Sequence, residues 1–272
     1  MRLDQVAINA VSTRAPSLEE NLAAYAAAGF KLVEFPLPSL KAWMTEGRSV
    51  AEVKALLDQF DLRCIGGFEA TVTCFGDEAE RAKNHDLHVA NGEFLDALGG
   101  GVLVVGSDGP GDGGAPELEA IGRTLGELIE RIPESVSLAV EFNWSPIIKS
   151  LRSAAVVAEA ADHPRVGILF DLAHYHCTPS KFEDLTEAVV RRILHVHVDD
   201  MRDKPGDRCN CNSDRVLPGQ GCLDVKGILA RLDDFGYGGY YSIELFNDDL
   251  WAMPAAEAAR LMCESMIALC ED

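Results

Sequence analysis

Apolar and polar positions along this chain alternate between two regimes. Short stretches with a spacing of two, or with continuous apolar residues, are separated by longer stretches with helical spacing. Residues 5–11 predict a first strand. Ser17, with Glu20 three positions on, opens a helix that Gly29 stops. Residues 31–37 predict a second strand, closed by Pro36 and Pro38, and a helix runs over 49–60. A third strand is expected at 63–68, and a long helical pattern over 78–98 ends at Gly99-Gly100-Gly101. Val102-Leu103-Val104-Val105 is uninterruptedly apolar, as in a strand covered on both faces. Strands five, six and eight fall at 137–142, 166–171 and 240–245; helices fall at 116–132, 147–161, 180–190, 224–235 and 254–269.

The seventh strand has the most informative pattern. From Ile193 to Asp200, Leu194, Val196 and Val198 alternate with His195, His197 and Asp199. Two imidazoles and a carboxylate on one strand face are costly to bury unless something binds them. A metal ion would do so, since neutral imidazole is the commonest metal ligand. A polar strand end open to water is the alternative, and this stretch alone leaves both open.

Eight strands alternating with eight helices, with no linker between units, imply parallel strands joined by helical crossovers. Eight such units in about 250 residues match a single-domain (β/α)8 TIM barrel over residues 1–272. A doubly wound open sheet is the other solution, but no dinucleotide fingerprint follows the first strand.

Composition narrows the function classes. The 272 residues are 47% hydrophobic and 25% charged, with 44 acidic against 24 basic residues and a net charge of −20. Such a surface repels phosphate backbones, so nucleic acid is not an expected partner. No run of about 18 apolar residues appears, so neither a membrane span nor a membrane partner is expected. Met1-Arg2-Leu3-Asp4 lacks signal-peptide architecture, which places the expected site of action in the cytoplasm. Eight scattered cysteines are therefore read as reduced thiols. Cys209 and Cys211 are the one close pair; with Cys222 they still lack the fourth ligand of a structural zinc site.

In a TIM barrel the active site forms at the C-terminal ends of the strands. Glu141, Asp171, His197 and Glu244 fall at or near the ends of strands five to eight, and His174 follows Asp171 by three. Any one of these is ordinary for a capping or ion-pairing residue. Their recurrence on four consecutive strands predicts one divalent cation, with Mn, Mg, Co and Zn all compatible with three carboxylates and an imidazole.

Five segments carry a family resemblance: Ala139-Val140-Glu141-Phe142-Asn143, Phe170-Asp171-Leu172-Ala173-His174, the strand from His195 to Asp200, Asp214 to Gly221, and Gly238 to Glu244. Together, and in this order, they resemble the xylose isomerase-like TIM-barrel superfamily of sugar isomerases, epimerases and endonuclease IV. The resemblance implies that Glu141, Asp171, His197 and Glu244 are metal ligands, and that His174 and Arg215 hold substrate oxygens. The Arg215–Gly221 segment, with Glu244-Leu245-Phe246, is most similar to inosose isomerases. Endonuclease IV needs further histidines on its third and fourth strands and after the Asp-Arg pair. Here those places hold Phe68-Glu69-Ala70, Val105-Gly106-Ser107 and Val216, which argues against a three-metal phosphodiesterase.

The expected chemistry follows. A cation holding a hydroxy-ketone acidifies the neighbouring C–H. Glu141 and Glu244 then serve as the acid/base pair, one removing the proton to give an enediolate and the other returning it. This predicts a metal-dependent sugar or cyclitol isomerase/epimerase, and the resemblance around Arg215 and Glu244 implies inosose isomerase as the leading choice. A keto-cyclitol dehydratase is the chief alternative, and an endonuclease IV-like hydrolase a lesser one. Glu34 is a weaker candidate for substrate contact, a salt bridge being equally compatible. Trp144 and Phe68 are candidates for an apolar pocket wall. His195, one layer below His197, is assigned a buried hydrogen-bonding role. A small sugar is the expected partner, and a homo-oligomer is compatible with the sequence.

Overall fold

The computed structural model describes residues 1–45 and 47–270. Its strands are β1 (Val6–Asn9), β2 (Leu32–Pro36), β3 (Arg63–Phe68), β4 (Val102–Val105), β5 (Ser137–Glu141), β6 (Val166–Asp171), β7 (Ile193–Val198), β8 (Asp200–Met201), β9 (Arg215–Val216) and β10 (Tyr241–Ile243). Eight of them close a parallel barrel in the order β1-β10-β7-β6-β5-β4-β3-β2, and β8 pairs with β9 as a separate antiparallel ladder. The expected TIM barrel is therefore present, and its closure excludes the doubly wound sheet.

The main apolar core lies between the strands' outer faces and the surrounding helices, with Ile8, Val33, Leu103, Leu138, Ile168 and Ile243 among its members. The barrel interior is filled by smaller apolar groups, one of Val102, Val104, Ala139 and Leu169 and another of Ala7, Leu32 and Ile65. Inward and outward residues alternate along each strand, so a polar side chain in an inward position is carried to the barrel axis. Register shifts between β2 and β3 at Val33/Glu34, and between β6 and β7 at Ile168/Leu169, re-aim side chains near the site.

Several elements depart from the sequence pattern for local reasons. β1 ends at Asn9 rather than residue 11, because the Asn9 side chain accepts from the Val11 amide and starts a 3-10 turn. The second strand ends at Pro36 and a helix not expected from the sequence, Leu37–Met44, follows at once, with Pro38 in its first turn where a missing N–H is tolerated. The helix expected over 180–190 breaks into Phe182–Asp184 and Glu187–Val190. Thr186 caps the second piece through the Val189 amide. The helix expected from 147 starts at Leu151, where Ser150 caps it. β10 is shorter than expected and places Glu244 just beyond its last residue. Among the described residues no helix is long and apolar enough to cross a membrane.

Candidate active site

β5 delivers Glu141 and β6 delivers Asp171 at their last residues. His197 on β7 pairs in register with Asp171 on one side and Ser242 of β10 on the other. Glu244 follows β10 by one residue. One ligand-type atom from each of these four buried side chains lies within 4.8 Å of all the others. His197 Nδ1 faces Glu244 Oε2 at 3.3 Å, Asp171 Oδ2 at 3.6 Å and Glu141 Oε1 at 3.9 Å. It makes no hydrogen bond.

A pocket of about 310 Å³ opens above this cluster. Glu141, His197 and Glu244 form part of its wall, together with His174, Arg215 and Trp144. Phe68 meets Trp144 edge to face at 6.2 Å, and Phe246 lies 5.3 Å from the Arg215 guanidinium. One side of the pocket is thus aromatic and the other ionic, as in a site for a small polyol with an apolar ring face.

Arg215 is fully buried at the centre of the ionic side. Its Nη1 lies 2.9 Å from Asp171 Oδ2, 2.8 Å from Asp199 Oδ2 and 2.9 Å from Glu244 Oε2. Its Nε donates to the Cys211 carbonyl at 2.7 Å. The β8–β9 pair brings this arginine back to the barrel axis, since Met201 just beyond β7 pairs with Arg215. Asp200 anchors the following turn by accepting from the amides of Gly219, Gly221 and Leu223. A Cβ at Gly221 would stand 2.3 Å from Asp200 Oδ1, so the turn closes this tightly only with glycine there.

The cluster sets its own protonation. Burial pulls the Arg215 proton affinity down, but Asp171, Asp199 and Glu244 outweigh it and raise it above the ordinary arginine value. Burial opposes ionisation of Asp171, yet Arg215 and His174 hold it below the ordinary carboxylate range. Asp199, beside it, is pushed well above that range by burial and then by Asp171. Burial disfavours the charged form of both His197 and His174. Glu244 and Glu34 nevertheless hold His197, and Asp171 and the Cys211 thiol hold His174, well above the usual imidazole value.

Side chains to which the sequence assigned no place at the site complete the frame. Asn9 donates to Glu244 Oε1 at 2.9 Å, across the seam between the first and last barrel strands. Asn143, in the left-handed region at φ 71°, lies with Nδ2 3.0 Å from His174 Nδ1, whose Nε2 is 3.4 Å from Glu141 Oε1. Cys211 and Asn212 enter the pocket wall from the loop before β9. Asn9 was detectable in principle as the polar end of an apolar strand; Asn143 closes one of the family-like segments and Cys211 belongs to the close cysteine pair, but only the loop geometry brings either to the pocket.

Glu34 takes the ion-pairing place that the sequence left open beside substrate contact. It is 0% exposed and lies outside the pocket lining, beneath His197, where His195 and His197 both contact it. The groups its carboxylate meets there are the two imidazoles. His195 occupies the buried hydrogen-bonding place assigned to it. All eight cysteines are free, and no cysteine joins a metal-type group among the described residues.

The donor set suits a divalent cation. Three carboxylates and one imidazole converge, and the unbonded His197 Nδ1 points at carboxylate oxygens.

Residues 22–268 match the model of the xylose isomerase-like TIM barrel family, and the protein belongs to that family. It is 33% identical over 137 residues to inosose isomerase of Bacillus licheniformis, a match covering 50% of this chain and 49% of the relative. The chain thus spans about half the length of the inosose isomerases it matches. Inosose dehydratase of Clostridium perfringens is 22% identical over 252 residues, covering 84% of this chain and 85% of the relative. A solved structure of the IOLI protein with a bound zinc atom superposes with a TM-score of 0.86 at 20% identity, covering 98% of both chains. At that identity the likeness is one of fold.

Proposed function

We propose that this chain is a divalent-metal-dependent isomerase or epimerase of a keto-sugar or keto-cyclitol, with inosose the leading substrate. The observation that carries the reading is the convergence of Glu141, Asp171, His197 and Glu244 under a pocket that also presents Arg215 and His174. The inosose isomerase relatives supply the substrate, and the IOLI structure makes zinc one candidate cation. Glu141, Asp171, His197 and Glu244 would hold the ion, whose charge would stabilise the oxygen made anionic when a neighbouring C–H is lost.

The chain's own groups carry the proton. Glu244 has Oε1 engaged by Asn9 and Oε2 by Arg215, so its carboxylate is held in one orientation. Glu141 comes from β5, three strands from β10 around the rim, with His174 beside its Oε1. Two carboxylates approaching from different strands allow one to take the proton and the other to return it to a different carbon or face. Arg215 and His174 donate to substrate oxygens, and the aromatic side of Phe68, Trp144 and Phe246 excludes water from the apolar ring face. The net charge of −20 supports a small neutral substrate over a nucleic acid.

A second reading, dehydration of a keto-cyclitol, is favoured by one observation: the inosose dehydratase match extends over 84% of this chain. Incubation with inosose in heavy water separates the two. The proposed isomerase gives a product of unchanged formula, with or without deuterium at the exchanged carbon. A product lighter by one water, with no isomer formed, would overturn isomerisation in favour of dehydration.

A further inference from the structure

The Glu34 carboxylate reaches across the barrel from β2 to β7. His195 Nε2 stands 3.0 Å from its Oε2; His197 Nε2 stands 3.0 Å from Oε2 and 3.2 Å from Oε1. The side chains of all three residues are essentially excluded from solvent. The two imidazole planes are nearly perpendicular, at 81°, so that both rings aim the same nitrogen at one acceptor. A carboxylate accepts hydrogen bonds and does not donate them. Each ring must therefore carry its proton on Nε2, and neither Nδ1 makes a hydrogen bond.

For His197, whose second proton a bound cation would displace, this fixes which nitrogen then offers a lone pair. It is Nδ1, the atom facing Glu244, Asp171 and Glu141 at 3.3–3.9 Å. We infer that Glu34 is a positioning residue that locks His197 into the Nε2–H tautomer and presents Nδ1 as the metal-ligating atom, with His195 holding Glu34 in place from below. The inference rests on the metal reading above and adds to it the residue that prepares the ligand. The register shift in β2 at Val33/Glu34 has a role in the same device, because it sets where the carboxylate leaves the strand. A carboxylate hydrogen-bonded to the far nitrogen of a ligating histidine orients the ring and raises its basicity, and its loss costs roughly 10–100-fold in metal affinity.

The rival occupant of this position is a second cation, since Glu34, His195 and His197 also form a group of ligand-type atoms within 4.8 Å. The two arrangements require different proton positions. A cation between the three would displace the Nε2 protons, whereas the positioning role requires them.

The test uses the full chain with zinc(II) as the probe. Affinity and stoichiometry are read by competition with a chromophoric chelator, and 15N-histidine spectra of the zinc-loaded protein read the tautomer. The wild type is expected to bind one equivalent, with His197 protonated on Nε2 and zinc-bound through Nδ1. Glu34→Gln is expected to keep one equivalent and an unchanged circular dichroism spectrum, while affinity falls about 10–100-fold. Two equivalents in the wild type, zinc on His197 Nε2, or affinity in Glu34→Gln within twofold of wild type would each overturn the inference. Should Glu34→Gln fail to fold, the wild-type spectrum and stoichiometry still decide. A wild type that binds no zinc removes the metal reading itself, whereas tight single-site binding indifferent to Glu34 removes only the positioning role.

Discussion

The two halves of the barrel rim end in different chemistry. β5, β6, β7 and β10 carry Glu141, Asp171, His197 and Glu244 to one point. β1 to β4 end around Asn9, Pro36, Phe68 and Val105, none of which is a charged group aimed into the pocket. Yet the first half is not a passive wall. Asn9 holds Glu244 from the neighbouring strand across the barrel's closing seam, Glu34 holds His197 from β2, three strands away around the barrel, and Phe68 packs edge to face on Trp144. The second half carries the converging carboxylates and imidazole, and the first half holds two of them in place. A closed barrel makes this possible, because the last strand pairs with the first and inward side chains from opposite strands meet at the axis.

This division can be broken experimentally, most forcefully at the reactive groups. Glu141→Gln and Glu244→Gln should each lower turnover of inosose on the order of 10²–10⁴-fold, the contribution of a general acid or base. Bound metal is to be measured in both. A loss of turnover that merely tracks lost metal would assign these carboxylates to the ion and not to the proton. Turnover near wild type in either variant would remove that residue from the chemistry.

Arg215→Met should have the next largest effect. It leaves Asp171, Asp199 and Glu244 facing one another in a buried site, and removing one partner of such a group costs about 3–5 kcal/mol. Urea unfolding at pH 7 measures it. A cost under 1 kcal/mol would mean that the carboxylates are already neutralised in another way.

Asn9→Ala tests whether the first half orients or reacts. It removes the donor to Glu244 Oε1 in a buried setting, which should cost about 1–3 kcal/mol of stability. It should also lower kcat/KM by about tenfold, or 1.4 kcal/mol at the transition state. A loss as deep as that of Glu244→Gln would collapse the distinction between the halves.

His88 offers the smallest effect and a control far from the chemistry. It is buried in the helix Glu78–Leu98, with Nε2 3.2 Å from the Thr71 carbonyl. Burial, the largest influence, holds its imidazole below the ordinary value of 6.5. The unfolded chain therefore takes up this proton first as pH drops. The fold pays no penalty from His88 well above pH 6.5 and a growing one below it, with a slope of at most about 1.4 kcal/mol per pH unit. Stability of His88→Asn, compared with wild type between pH 8 and 5, should show a shallower acid decline with turnover unchanged. Parallel declines would remove His88 as a contributor.

The sequence alone determined the architecture and most of the cluster. Alternating periods of two and 3.6 are local properties of a chain, and eight repetitions of them leave few closed solutions. The same periodicity put Glu141, Asp171, His197 and Glu244 at strand ends, because the end of a strand is legible wherever an apolar run stops. Only the tertiary structure decided what those ends meet. Nothing local in the chain says that β10 closes against β1, so nothing local pairs Asn9 with Glu244. Glu34 and His197 are 163 residues apart, and a one-residue register shift would have turned Glu34 toward the helices instead of the axis. Arg215 carried a motif, but its burial among three carboxylates depends on the β8–β9 pairing and on the glycine turn that Asp200 anchors. Strand identity is written in nearest neighbours; which side chains share the barrel axis is fixed by closure and register, which exist only in the folded chain.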